Sequence, residues 1–228
     1  MTGPTPWEGH PALLPPDPDL EPLHQRDYVV RAWKRSDDSM LIRGAVMDIK
    51  PGQPFTERII AAGGDDDGRP LLVHHMVVDL VVRYPDLTIT DAAVVFEAFP
   101  NAGCPGITTH YRELIGLSIA RGFTHQVRER FGGPRGCTHT TALLQAMGPV
   151  AVQAVFGMRG SLPTGDGPVD RSAGPDQPSF MRDTCHVWAA DGERWQALAM
   201  GASHPQPLPM QQRVRDSGLD PGRLNLAE

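Results

Sequence analysis

Two consecutive stretches of alternating apolar and polar residues constrain the fold of this chain most strongly. Leu71 to Val82 and Thr88 to Phe99 are rich in β-branched and aromatic residues, and a turn-favouring run, Arg83-Tyr84-Pro85-Asp86, joins them. Because side chains alternate along a strand, the first stretch has a more apolar face and a less apolar face. The more apolar face carries Leu72, His74, Met76, Val78, Leu80 and Val82. The pattern predicts a half-buried antiparallel strand pair with His74 on its buried side.

The flanking segments extend this pair into an α+β fold. Asp27 to Lys34 and Met40 to Lys50 are strand-like and surround a polar turn, which predicts an N-terminal hairpin. After Cys104 the apolar spacing becomes helical. Helices are predicted over Thr109 to Arg121, from Thr124 to Arg130 or Phe131, and from Thr138 or Thr140 onward, with Pro149 kinking or splitting the third. We therefore expect a mostly antiparallel sheet, made of the hairpin and the central strand pair, with a layer of helices packed on one face.

Proline and glycine set the expected domain limits. Residues 1–25 contain seven of the 23 prolines and predict a flexible arm, and residues 201–228 predict a flexible polar tail. Between them we expect a single α+β domain over residues 26–200, interrupted by a long loop at residues 157–180. Residues 51–69 are interpreted as a solvated loop. Two short strands, Thr184 to Ala189 and Trp195 to Met200, are expected after the long loop.

Charge and cysteine content narrow the class of protein. The formal net charge of −6 disfavours a nucleic-acid partner, since Lys and Arg drive that interaction. Neither a secretory signal nor a run of 18 apolar residues is present, so we expect a cytoplasmic protein without a membrane partner. Three cysteines suit free thiols or metal ligands better than a disulfide framework. A small-molecule substrate or ligand is the expected partner, and a homo-oligomer is left open.

Cysteines and histidines near predicted helix starts suggest a metal site. Cys104 and Cys137 each precede a predicted helix, where backbone N–H groups and the helix dipole favour a thiolate. Thiolate and imidazole are common ligands of zinc and iron, so His74 is the expected third ligand and Zn or Fe the expected cofactor. Cys185 or His139 is expected to take the fourth place. The alternative is that each is an ordinary packing or hydrogen-bonded residue.

Proton transfer is assigned to two histidines. His139, two residues after Cys137, and His75, beside His74, are the candidate catalytic residues. Neighbouring side chains in a strand point to opposite faces, so at most one of Cys185 and His186 is expected to enter a shared site. Cys185 is preferred, and a structural cysteine is the alternative. Asp48, near the end of its predicted strand, is interpreted as a solvated turn residue in preference to a functional one.

Taken together, the motifs resemble a known family. His74-His75-Met76, Cys104 and Arg135-Gly136-Cys137-Thr138-His139 resemble the H-x-M, C and GCTH pattern of a bacterial domain-of-unknown-function family, over roughly residues 26–156. More distantly, the order is similar to the U-type (NifU-like) iron–sulfur cluster assembly scaffold proteins. On that resemblance His74 falls at the aspartate of the scaffold, and Cys104 and Cys137 fall at its second and third cysteines. It implies an iron–sulfur-scaffold-like fold.

Three functions remain open from the sequence. The first is a metalloenzyme of the lyase or hydrolase type acting on a small organic molecule, with Zn or Fe held by His74, Cys104 and Cys137 beside an open coordination position. The second is an iron–sulfur or sulfur carrier or scaffold, as the distant resemblance implies. The third is a non-catalytic protein with a structural metal site.

Overall fold

The structure, a computed structural model, describes residues 17–50, 53–64, 69–158, 182–183, 185–200 and 208–218. The chain divides into two compact units, Met1–Ser161 and Leu162–Glu228. The described part of the first unit contains four strands: β1 Gln25–Ser36, β2 Ser39–Lys50, β3 Leu71–Arg83 and β4 Thr88–Ala98. The described α-helices are α1 Gln53–Ala61, α2 Phe123–Phe131, α3 Thr138–Met158, α4 Glu193–Ala199 and α5 Leu208–Asp216. The 3₁₀-helices are Cys104–Leu114, Gly133–Arg135 and His186–Trp188.

The four strands form one antiparallel sheet in the order β1-β2-β3-β4. This arrangement and the helices confirm the predicted α+β class, including the N-terminal hairpin and the central strand pair. Each strand pairs with the next in sequence because only short turns separate β1 from β2 and β3 from β4. The second turn occupies residues 84–87, where the predicted Pro85-containing turn lies. Residues 1–16 of the predicted arm and residues 159–180 of the predicted loop lie outside the described residues.

One face of the sheet packs against α3, and the core lies between them. Even-numbered residues of β2 and β3 are buried here, as alternation predicts: Met40, Ile42, Val46, Met76, Val78, Leu80 and Val82. They meet the buried side of α3, formed by Leu143, Leu144, Met147 and Ala151. Gly44 permits a close approach, because a Cβ there would lie 2.8 Å from Met147 Sδ. The helix thus begins at one end of the sheet and runs across β1, β2 and β3.

The segment after Cys104 differs from its predicted helix. The chain forms a 3₁₀-helix that begins at Cys104 and ends at Leu114, earlier than the predicted end at Arg121. Residues 115–119 instead run beside the β3–β4 turn, where Ile119 N–H bonds to Leu87 O and Thr88 bridges to Ser118. Gly122, directly after the predicted helix, has a positive φ of 65° and stands at the N-terminus of α2. The helical spacing of the apolar residues was therefore a misleading signal here.

Other predicted elements are wrong in type. Within the predicted solvated loop, Gln53–Ala61 is helical. In the second unit, Glu193–Ala199 is a helix where a strand was predicted from Trp195, because good helix formers follow Asp191-Gly192. His186–Trp188 is a 3₁₀-helix where another strand was predicted, and Leu208–Asp216 is a helix within the predicted tail. Over the described ranges, no helix has the length and apolar character needed to cross a membrane.

Candidate metal centre

A row of polar side chains crosses three neighbouring strands at one end of the sheet. Asp48 on β2 is the cross-strand partner of Arg26 on β1 and of His74 on β3. These residues continue the buried face of the sheet, because Asp48 follows Val46 and His74 precedes Met76 at the two-residue period of a strand. A register shift after Asp48 ends the regular pairing of β2 with β3. The sheet therefore carries a carboxylate and an imidazole side by side at the margin of the core.

Helix α3 adds the second imidazole from above this face. His139 lies in the first turn of α3, and its Nε2 is 2.8 Å from Oδ2 of Asp48. Its ring stacks on that of His74, with 3.9 Å between the ring centroids and an interplanar angle of 29°. The start of α3 thus closes a three-residue cluster whose members come from β2, β3 and α3.

Asp48 is a buried carboxylate with several cationic or donor neighbours. Arg26 donates from Nε to Oδ1 at 2.5 Å and from Nη2 to Oδ2 at 2.7 Å, and His24 Nε2 lies 3.5 Å from Oδ1. The hydrogen bonds from Arg26, followed by the contact with His139, hold the pKa of Asp48 well below its ordinary value despite its burial. These contacts therefore favour the ionised form of Asp48.

His74 is held in its neutral form. Burial, and then the proximity of His139, lower the pKa of His74 below that of an ordinary histidine. Its Nδ1 lies 3.2 Å from Asp48 Oδ2, yet this buried nitrogen makes no well-oriented hydrogen bond with the described residues. A neutral imidazole with an unsatisfied buried nitrogen directed at a carboxylate is a suitable metal ligand.

The three side chains have the arrangement expected of metal ligands. One ligand atom from each of Asp48, His74 and His139 lies within 4.8 Å of the others, so that these three side chains form a group of potential ligands among the described residues. Metal–ligand bonds of about 2.0–2.2 Å place neighbouring ligand atoms of one ion about 3 Å apart. In this structure the 2.8 Å between His139 Nε2 and Asp48 Oδ2 is a hydrogen bond, and this distance and the 3.2 Å from His74 Nδ1 to the same oxygen are also compatible with that spacing.

Cys104 and Cys137, two of the cysteines predicted as ligands, are not members of the Asp48, His74 and His139 group. Cys137 immediately precedes α3, and its Sγ is 3.8 Å from Nδ1 of His139, the ring nitrogen that does not contact Asp48. Cys104 begins the first 3₁₀-helix and packs, half-buried, against the core. Cys185 is exposed and belongs to the second unit. Neither the Cys104 nor the Cys137 sulfur belongs to the cluster that the described residues form, and ligand roles for all three cysteines stay predictions.

The histidines with predicted catalytic roles are separated by the sheet. His75 follows His74 on β3, and its cross-strand neighbours are Met47 and Ala98, so it lies on the face opposite the cluster. His139 is in the cluster itself. A proton-transfer role for either histidine stays a prediction, whereas the placement of His74 on the apolar face is confirmed.

Sequence reasoning assigned no role to Arg26 or His24 and undervalued Asp48. The signal for Asp48 was present, because it continues the series Met40, Ile42, Gly44 and Val46, all of which are buried. A carboxylate in line with a buried stripe is costly unless it is paired, so this position indicates a site more strongly than a turn. Arg26 and His24 carry no comparable local signal, since only the pairing of β1 with β2 brings them to Asp48.

Comparison with known proteins places this site inside a family region. Residues 24–153 match the family described as "Protein of unknown function (DUF2889)", which covers more than half of the chain. The chain belongs to this family. Neither the curated proteins nor the solved structures gave a match, so the likeness to iron–sulfur scaffold proteins has no structural neighbour to support it. All four residues of the Arg26, Asp48, His74 and His139 network fall within the family region.

Proposed function

We propose that the chain is a metalloprotein in which Asp48, His74 and His139 hold one Zn²⁺ or Fe²⁺ ion. The observation that carries this proposal is the convergence of one carboxylate oxygen and two imidazole nitrogens, one of them a buried nitrogen without a well-oriented hydrogen bond. Two histidines and one carboxylate are a ligand set used by catalytic zinc and by non-haem iron. The proposal keeps His74 and the metals expected from the sequence, and it replaces the cysteine ligands.

The ligand count favours catalysis over a structural role. A closed structural zinc site has four protein ligands, whereas a catalytic site has three and an open position for water or substrate. The cluster in the described residues supplies three. The side chains of His74 and His139 are 19% and 16% exposed, so the imidazole side of the cluster reaches the surface, while Asp48 is sealed at 3%.

A metal at this position supports hydrolysis or a lyase step on a small organic molecule. When bound, the ion would polarise a water molecule or a substrate oxygen. Asp48 supplies the negative charge, and Arg26 orients its carboxylate so that Oδ2 faces both imidazoles. The lowering of the His74 pKa by burial favours the unprotonated form, which is the form that binds a cation.

The metal content of protein purified without oxygen tests the proposal. We expect about one Zn or Fe per chain by elemental analysis, and loss of most of it in His74→Ala, His139→Ala and Asp48→Asn. His75→Ala is the matched control, because this neighbouring histidine lies on the other face of the sheet and should keep the metal. A wild-type protein without stoichiometric metal, or equal losses in His75→Ala and His74→Ala, would refute the assignment.

A sulfur or iron–sulfur carrier is the second candidate function. It is favoured by Cys137, whose half-buried thiol stands at the edge of the same cluster. A carrier needs a thiol that is not sealed in the core, and a cluster scaffold needs several thiolates on one iron centre. A brown protein with acid-labile sulfide, lost in Cys137→Ser, would support this candidate. A colourless protein without labile sulfide would exclude an iron–sulfur centre in the purified protein.

A further inference from the structure

The ring nitrogen of His139 that faces away from Asp48 requires a partner. In a neutral imidazole that binds a metal through Nε2, the proton is on Nδ1 and needs an acceptor. Metal-binding histidines almost always donate this second N–H to a carboxylate, a carbonyl, a water or a comparable group. The contact that the structure describes for Nδ1 of His139 is Cys137 Sγ, at 3.8 Å, which is long but within range for sulfur.

The backbone fixes Cys137 independently of the cluster. Its N–H donates to Oη of Tyr111 at 2.8 Å, and its carbonyl accepts from Thr141 N–H in the first turn of α3 at 2.9 Å. Tyr111 is itself buried and stacks on Phe131, with 4.8 Å between ring centroids. The hydrogen bonds of its N–H and its carbonyl, on either side of the Cα, therefore hold the backbone of Cys137 in place. The side chain of Cys137 lies next to the imidazole ring of His139.

We propose that Cys137 is a positioning residue for the metal centre and not one of its ligands. Its sulfur accepts a hydrogen bond from Nδ1–H of His139, which leaves Nε2 free to bind a metal ion beside Asp48 in place of its hydrogen bond to that carboxylate, and which fixes the orientation of the ring. This inference rests on the proposed metal-binding function. A thiol sulfur serves here in place of the usual carboxylate or carbonyl, since sulfur can act as a weak acceptor or donor. This positioning role explains why a cysteine stands two residues before His139, directly before a helix whose start is anchored by Tyr111.

Metal titration of wild type, Cys137→Ala, Cys137→Ser and Cys104→Ala tests the inference. Zn²⁺ affinity is measured by competition with a chromophoric chelator, and Co²⁺ serves as the spectroscopic probe. Loss of an outer partner of a ligand typically weakens metal affinity by about 10- to 100-fold. We expect that loss in Cys137→Ala and a smaller one in Cys137→Ser, whose hydroxyl can replace the acceptor. Cys104→Ala removes another half-buried thiol from the same core and should leave affinity within about 2-fold, as expected for a residue without a partner in the site.

The Co²⁺ spectrum separates positioning from ligation. The wild-type complex should lack the intense near-ultraviolet band of a cobalt–thiolate bond, and its visible bands should shift in Cys137→Ala. A thiolate band that disappears in Cys137→Ala would overturn the inference, because Cys137 would then be a ligand. Unchanged affinity and spectrum in Cys137→Ala would overturn it while leaving the proposed metal site intact. Absence of Zn²⁺ and Co²⁺ binding to wild type would refute both, and circular dichroism of the metal-free variants shows that they are folded.

Discussion

Replacement of Arg26 by Met is the sharpest test of the electrostatics at the centre. The Asp48 side chain is 3% exposed and that of Arg26 is 35% exposed, so the variant leaves a sealed carboxylate without its bidentate partner. Breaking a fully buried pair costs about 3–5 kcal/mol. Hydrogen bonds to a charged group are each worth about 1.5–3 kcal/mol. Because Arg26 is one-third exposed and His139 still contacts Asp48, we expect a loss of about 1.5–3 kcal/mol in the free energy of unfolding.

The same sheet provides a matched control on its other face. Arg43 and Asp79 pair across β2 and β3 with the same bidentate geometry, at 2.6 Å for each bond. Their side chains are 53% and 29% exposed, so solvent screens this pair and Arg43→Met should cost only about 0.2–1 kcal/mol. In both variants Met retains an apolar stem, which limits the change in packing.

Urea unfolding at pH 7 in the presence of a chelator measures both variants without a contribution from bound metal. The low pKa of Asp48 means that the folded state binds fewer protons than the unfolded chain. The stabilisation by the Arg26 pair is therefore complete above the ordinary aspartate pKa of about 3.9 and is lost as the pH falls below it. Equal losses for Arg26→Met and Arg43→Met at pH 7 would show that the burial of Asp48 does not strengthen the interaction.

Three further outcomes follow from individual contacts. Gly44→Ala should destabilise the protein by about 1–3 kcal/mol, because the new Cβ meets Met147 Sδ at 2.8 Å, and an unchanged urea midpoint would contradict this contact. Tyr111→Phe should cost about 1–3 kcal/mol in the same assay, because the Cys137 N–H loses its acceptor, and a neutral effect would mean that water replaces it. The lowered pKa of His74 favours its neutral form in the folded state, so its contribution is present above the ordinary histidine pKa of about 6.5 and is lost as pH falls below it. Unfolding measured between pH 7.5 and 5.5 should show a steeper loss for wild type than for His74→Gln, and parallel curves would rule out this linkage.

The strands were predictable because each central strand has one buried face. In β3 the residues of that face alternate with half-buried residues from Met76 to Val82, which reproduces the pattern in the sequence. The start of α3 was also predictable, since Thr138 follows a glycine-rich break and precedes a long apolar run. These predictions depend on local periodicity, which the core enforces directly.

Helices outside the core were predicted less well for the same reason. In α1, Ile59 and Ile60 are 42% and 57% exposed, so they do not produce the spaced apolar stripe that marks a buried helix face. Residues 115–119 have apolar residues at helical spacing, yet their backbone bonds to the β3–β4 turn. A pairing between segments about 30 residues apart determines that conformation, and no periodicity within the segment records it.

Prediction of the candidate site depended in part on local periodicity and in part on contacts between segments that are distant in the sequence. His74 was placed on the buried face from alternation alone, whereas the ligand assignment to Cys104 and Cys137 relied on their positions near helix starts. A helix start determines the electrostatic environment of a thiol, but it does not determine what the side chain faces. In the structure the sulfur of Cys137 faces the far side of the His139 ring.

The face of the sheet on which each strand residue lies would have indicated the site better than the positions of cysteines near helix starts. In an antiparallel sheet, residues that are cross-strand partners share a face, so a polar residue in line with a buried stripe predicts polar partners on the neighbouring strands. Asp48 ends the buried stripe of β2 and His74 begins that of β3, and the short connection between β1 and β2 places Arg26 beside Asp48. A carboxylate at such a position must be paired, and the histidine at the matching end of β3 is the available partner from that strand. Only the second imidazole, His139, required the packing of α3 on the sheet, which is why the cluster could be anticipated from its strands but not completed from them.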